Sequence, residues 1–299
     1  MEQKNWLLHP GDAVGLVCCS DGHASARKRT NDILQKVLES FGLRPVWSPY
    51  IYAREAVFSG SGKERAEALN DFYRDPEIRM IFDLSGGNAG NGVLEYLDYE
   101  CIRNNPKPFF GYSDLTTVHS AIITKTGNKG GLYQLRNLAA QEKELQQKRF
   151  YETFFEGKST LWDASYHFLR GEKISGVVNG GNLRCLLKLA GTPYWPDLSG
   201  KILFLEALGG GVGEITAMLT QLRQIGVFSR IRGLLLGTFT QMEKEELTPT
   251  VPELVLRITE DYDFPVAQTR EIGHGANSKG LILGGTMELN KKETEANGH

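Results

Sequence analysis

Several things are scarce in this sequence, and each scarcity removes a class of function. Only 4 cysteines occur in 299 residues. That is too few for a disulfide framework, and Cys18 and Cys19 sit side by side in a run that reads as a buried strand, so a reducing compartment is expected. Cys101 and Cys185 have no cysteine or histidine at ligand spacing. The 6 histidines are scattered as His9, His23, His119, His167, His274 and His299, which argues against a zinc site. The first ten residues lack the apolar core of a secretory signal, and no stretch nears the ~18 uninterrupted apolar residues of a membrane span. Charge of one sign is missing as well. With 34 Lys+Arg against 36 Asp+Glu the net charge is −2, so neither a nucleic acid nor an anionic membrane is called for as partner. A cytoplasmic setting is the expectation.

Glycine is what the sequence has in excess: 34 in 299 residues is about 11 %, against a typical ~7 %. Around those glycines, strands and helices alternate. Ala13–Cys19 reads as a buried strand, and Ile33, Leu34, Val37, Leu38 and Phe41 share the face of a helix that Gly42 ends. Arg44–Trp47 reads as a second strand. Ser61 and Glu64 form a capping-box pattern for a helix with Ala66, Leu69, Phe72 and Tyr73 on one face. Arg79–Leu84 and Pro108–Tyr112 are further strands. From 137 to 171 the period is lost, which suggests a linker. Strands are expected again at Ile174–Val178, Lys201–Leu205 and Gly233–Leu236, with a last short pair about Gly284-Gly285. Helices are expected over Asn182–Leu189, Ile215–Leu222 and Leu254–Ile258. The expected organisation is α/β in two lobes, residues 1–136 and 172–299. Each is a mostly parallel sheet whose ligands lie at the carboxyl ends of its strands.

Three residues stand at such ends. Ser113, in Gly111-Tyr112-Ser113-Asp114, lies where an apolar strand runs into a helix, so its hydroxyl projects and the N–H groups of the first turn lie free for an oxyanion. The position two after it is Leu115, so the G-x-S-x-G elbow is not matched, and helix capping by Ser113 or Asp114 is the alternative. Glu206 closes the run Ile202–Leu205, where a charge farther in would be buried and unpaired; capping or a salt bridge is its alternative role. The glycines after it, Gly209-Gly210-Gly211, match neither the Walker nor the dinucleotide pattern, and no basic residue for a phosphate follows Glu206. His274, between Gly273 and Gly275, is the best general base in the chain, with a solvated loop as the alternative. Together the three form a self-consistent Ser-Glu-His triad. The turn Ser85-Gly86-Gly87-Asn88-Ala89-Gly90 belongs to the same sheet edge. The N–H of Gly87, with that of Asp114, is the candidate oxyanion hole, while Gly86, Asn88 and Asn182 are candidate substrate contacts, with capping the other role for Asn182.

Six phrases in order resemble the LD-carboxypeptidase family of serine peptidases: Gly11–Val17, Gly111–Asp114, Gly180–Leu183, Gly191–Tyr194, Lys201–Glu206 and Gly273–Gly275. The resemblance implies a flavodoxin-like amino-terminal lobe carrying the nucleophile and a smaller, swivelling β/β/α-like carboxy-terminal lobe carrying Glu and His. It also implies a homodimer, no cofactor, no metal, and Ser113, Glu206 and His274 as catalytic residues. Members trim terminal D-alanine from cytoplasmic muropeptides, and a related branch, the microcin C immunity peptidases, cleaves an aminoacyl-nucleotide toxin. Muropeptide-trimming members commonly carry Arg-Gly-Gly-Tyr-Gly at the turn that reads Ser85–Ala89 here, and a Gly-Pro segment where this chain has Gly131–Arg136. The turn leans towards the immunity branch, as do Leu97-Asp98-Tyr99 and Asn104-Asn105-Pro106. A peptide or peptide-nucleotide substrate is therefore expected. The reading from another class is a non-catalytic two-lobed protein whose glycine turns shape a small-ligand cleft.

Overall fold

The computed structural model describes residues 6–291. Twelve strands form two six-stranded sheets. In chain order they are β1 (Ala13–Val17), β2 (Arg44–Trp47), β3 (Ile78–Asp83), β4 (Phe109–Gly111), β5 (Gly130–Leu132), β6 (His167–Arg170), β7 (Lys173–Asn182), β8 (Ile202–Ala207), β9 (Gly233–Phe239), β10 (Val266–Gln268), β11 (Leu281–Leu283) and β12 (Thr286–Asn290). The first sheet has the order β11-β5-β4-β3-β1-β2, parallel except for β11, and the second the order β12-β7-β8-β9-β10-β6, parallel at its centre with antiparallel strands at both edges.

The first sheet is covered on both faces because its strands alternate apolar residues outward to each side. Val14, Leu16, Met80 and Phe82 pack under the helices Lys28–Ser40 and Lys143–Phe154, while Ala13, Val17 and Ile81 pack under Gly62–Arg74 and Thr116–Thr126. The capping box forms as the sequence suggests: Ser61 Oγ accepts from the Glu64 N–H, and Glu64 Oε2 accepts from the Ser61 N–H at 2.8 Å. The second sheet has helices on one face only. Leu203, Leu205, Leu234 and Leu236 pack against the helices Val212–Gln224 and Val251–Ile258, whereas Phe204, Ile202 and Leu235 bury their face against Tyr112 and Leu132 of the first lobe and Leu281 of β11.

Two expectations change. The stretch 137–171, read as a linker, contains the helix Lys143–Phe154, whose Phe150 and Phe154 lie in the first lobe's core, and the edge strand β6. Its apolar period is hidden because buried Gln146 and Thr153 occupy the same face; Gln146 Nε2 donates to the carbonyls of Ala276 and Ser278. The carboxy-terminal lobe also returns a strand, β11, to the edge of the first sheet. No described helix is long and apolar enough to cross a membrane.

Two of the close contacts between the lobes lie beside Ser113. Gly181, at the end of β7 with φ +145°, passes so near the helix Thr116–Thr126 that a Cβ there would stand 2.4 Å from Thr116 Oγ1; the next N–H, of Asn182, donates to that hydroxyl at 2.9 Å. Asp114, fully buried, receives Lys188 Nζ of the second lobe at 2.5 Å, the Ser20 hydroxyl at 2.6 Å and the Gly90 N–H at 2.7 Å. Burial alone would raise the Asp114 pKa, but the Lys188 ammonium and the Ser20 and Gly90 donors outweigh it and hold the carboxyl below its ordinary value.

Two stability outcomes follow. Gly181→Ala forces the lobes apart or the backbone out of its left-handed region and loses ~1–3 kcal/mol in denaturant unfolding. Lys188→Met strands a buried carboxylate and costs ~3–5 kcal/mol at neutral pH. Because the folded Asp114 pKa is depressed, its contribution is present above the unfolded value near ~3.9 and lost as pH falls through the lower folded value. The gap between variant and wild type therefore narrows on acidification; a gap constant from pH 7 to 3 in a urea midpoint series would contradict the assignment.

Candidate active site

β4 ends at Gly111, and a 3₁₀ turn over Ser113–Leu115 leads into the helix Thr116–Thr126. Ser113 has φ +61°, a left-handed conformation that costs a non-glycine residue free energy and persists only where the surroundings enforce it. Its side chain caps neither the turn nor the helix. Asp114 does not cap either; it is spent on the three donors that join the lobes. The sheet's parallel register brings the glycine turn after β3 alongside, so that a Cβ on Gly86 would lie 3.9 Å from Ser113 Cβ.

The glycine turn is moulded on a carboxylate. Asp21 Oδ1 accepts from the N–H groups of Asn88 and Ala89 at 2.9 and 3.1 Å, and Gly87, at φ +115°, comes so close that a Cβ would meet Asp21 Oδ2 at 2.1 Å. Only glycine fits there. Among the described residues, the N–H groups of Gly87 and Asp114 donate to no protein acceptor.

Glu206 is fully buried near the end of β8 and opposite Asn182 in the β7–β8 register. Its Oε1 accepts from Asn182 Nδ2 at 2.9 Å, and its Oε2 lies 2.8 Å from His274 Nδ1. The latter is an ion-pair distance whose angle falls short of a directed hydrogen bond, and His274 Nε2 is buried without a protein partner. Tyr112, next to Ser113, packs edge-on against the His274 ring with centroids 5.0 Å apart. Burial first, and the nearby Glu206 charge second, push its phenol pKa well up, keeping it neutral beside the pair. His119, by contrast, is a packing residue: it is buried against Phe109, and desolvation lowers its pKa to about 4.

Ser113, Gly87, Asn88 and Asn182 line one cavity of about 670 Å³, floored by Ala207–Gly210 and closed by Glu214, Ala217 and Met218. Neither Glu206 nor His274 lines it; Glu206 is joined to its wall through Asn182, and His274 to Glu206. Ser113 and His274 are not hydrogen-bonded to each other. Asn182 takes the capping role as well as a cavity position: Oδ1 accepts from the Cys185 N–H, and Nδ2 supports Glu206. Two residues that the sequence did not flag hold the glycine turn in place. Arg184 lines the cavity and donates to Gly87 O at 3.0 Å and to Asn88 Oδ1, and Lys188 donates to Asn88 O at 2.9 Å. Arg184 stands two residues and Lys188 six after the Asn182 cap, and that spacing alone does not record where their ends reach.

Residues 14–134 match the N-terminal domain of the LD-carboxypeptidases, and residues 175–289 match their C-terminal domain. A putative carboxypeptidase of Streptomyces coelicolor is 30% identical to this chain, covering 86% of each. A probable murein peptide carboxypeptidase of Bacillus subtilis is 28% identical over 99% of this chain and 94% of its own. The solved structure of the microcin C7 self immunity protein MccF in complex with aspartyl sulfamoyl adenosine has a TM-score of 0.82 at 21% identity, covering 96% of this chain and 95% of that one, a likeness of fold. With both lobes matched and the sequence likeness running along most of the chain, this protein belongs to the LD-carboxypeptidase family of peptidases.

Proposed function

We propose that the chain is a cytoplasmic serine carboxypeptidase that hydrolyses an amide bond near the end of a small peptide, foremost the L,D-bond to the terminal D-alanine of muropeptides. The observation that carries this reading is the His274 ring. A fully buried carboxylate lies 2.8 Å from Nδ1, while Nε2 is buried, unpartnered and on the side chain that packs against the residue before Ser113.

In the proposed mechanism, His274 Nε2 takes the Ser113 proton as Oγ attacks the scissile carbonyl. Glu206 holds the ring in the tautomer that leaves Nε2 free, then stabilises the imidazolium, with Asn182 fixing the carboxylate. The free N–H groups of Gly87 and Asp114 receive the oxyanion, and preorganised donors of this kind need no rearrangement as charge develops. The imidazolium then gives its proton to the departing amine, leaving an acyl-serine. Water, deprotonated by His274, attacks that ester and restores the hydroxyl.

A microcin-immunity-type reading, cleavage of an aminoacyl-nucleotide conjugate, is favoured chiefly by the turn Ser85–Ala89, which has neither the arginine nor the tyrosine common in muropeptide-trimming relatives. A side-by-side assay of an L,D-tetrapeptide and such a conjugate separates the two. On the true substrate, Ser113→Ala lowers kcat on the order of 10⁶-fold and Glu206→Gln about 10⁴-fold. A serine-directed acylating probe labels the protein only while His274 is present. Full activity of Ser113→Ala would sink the assignment, and an unlabelled, inactive protein that still binds peptide would identify a binding module instead.

A further inference from the structure

The cavity beside Ser113 has a single cation in its wall, Arg184. Its guanidinium donates to Gly87 O and Asn88 Oδ1, both neutral acceptors, and among the described residues it makes no ion pair with a carboxylate. Lys188, one turn on, is in a different position, since its charge is matched by Asp114. Of the five N–H donors of a guanidinium, two are engaged, so three remain along with an unmatched charge. The two engaged donors fix the group in place, and a fixed planar fork suits carboxylate and phosphate oxygens. The only acid of the cavity wall, Glu214, accepts from the Gly211 N–H at the start of its own helix and does not neutralise Arg184.

We infer that Arg184 is an anion-binding subsite which reads an oxyacid group carried by the departing half of the substrate. The inference rests on the peptidase reading for which half departs. An enzyme that removes only a terminal residue must recognise what only that residue has, its free carboxylate, and a cation grafted onto the glycine turn stands where such a group can meet it. In an aminoacyl-nucleotide conjugate the phosphate next to the scissile bond would present the same chemistry. The anchoring also makes recognition and catalysis one structure: the turn that Arg184 grips at Gly87 O is the turn whose Gly87 N–H is free.

Binding and turnover test this separately. In Ser113→Ala protein, the affinity of an L,D-tetrapeptide with a free carboxyl terminus is compared with that of its carboxamide and of a phosphoramidate-linked nucleotide conjugate, with and without Arg184→Met. The expected result is a preference of roughly 10- to 100-fold for an anionic ligand over the amide, the size of a charge-assisted bidentate contact, abolished by Arg184→Met and partly retained by Arg184→Lys. Whichever anionic ligand shows the preference identifies the source of the anion. Equal affinity for carboxylate and carboxamide with no gain for the phosphoramidate, a preference that survives Arg184→Met, a uniform loss on all three ligands, or no binding of any of them would each overturn the subsite. A uniform loss would mark Arg184 as a brace of the turn. Hydrolysis by the protein with Ser113 intact reports on the peptidase reading independently, since it asks for bond cleavage whatever the charge preference.

Discussion

The buried carboxylate of Asp114 is the interaction on which the rest of the site depends. It has no solvent to share its charge with, so losing any of its three donors is strongly destabilising. Those donors come from three separate parts of the chain: Ser20 after β1, Gly90 at the end of the glycine turn, and Lys188 from the second lobe. Meeting the needs of one carboxylate therefore locks the glycine turn against the Ser113 turn and the second lobe against both. Lys188 adds to this by also holding Asn88 O. An ion pair this costly to break is poor as a mere stabiliser but effective as a spacer, because few other arrangements satisfy it.

The strain at Ser113 belongs to the same system. A residue held at φ +61° would relax if its neighbours allowed it. On one side Tyr112 is pinned between the His274 ring and the core shared by the two sheets; on the other Asp114 is pinned by its three donors. With both neighbours fixed, the serine between them has no freedom to leave the left-handed region, and its hydroxyl stays clear of the helix that it opens. Glu206 is held by an equivalent logic on the facing sheet, where the β7–β8 register places the Asn182 amide opposite it and helix capping fixes the other end of that amide.

The sequence showed what is set by local pattern. Ala13–Val17 and Ile202–Leu205 are apolar runs at strand length, and the Ser61–Glu64 cap is a property of four consecutive residues. The candidates Ser113 and Glu206 stood out because each follows such a run, and His274 because Gly273 and Gly275 flank it. What could not be read depends on partners far away in the chain. The helix Lys143–Phe154 looks aperiodic because Gln146 is buried to satisfy carbonyls about 130 residues later. β11 joins the first sheet from within the carboxy-terminal lobe, between β10 and β12 of the second sheet. Arg184 and Lys188 are long side chains whose role is defined by where their ends land, and nothing in the spacing Asn182-Leu183-Arg184 records that.

That last failure alters how the glycine turn is read. From sequence, Ser85–Ala89 stands out for lacking an arginine, and the missing charge counts towards a different substrate. In the folded protein a guanidinium does sit on this turn, delivered from the opposite lobe and bonded to Gly87 and Asn88. Charge at a site is a property of space and not of the segment that builds it, so a cation lost from a loop and gained on a facing helix leaves the field at the cavity wall with the same sign. What differs is the coupling. An arginine within the turn moves with the turn, whereas Arg184 ties its position to the packing of the second lobe, which also carries Glu206 and His274. The proposed anion recognition, oxyanion donors and base are then referenced to one interface, held at the spacing that Asp114 and Lys188 dictate.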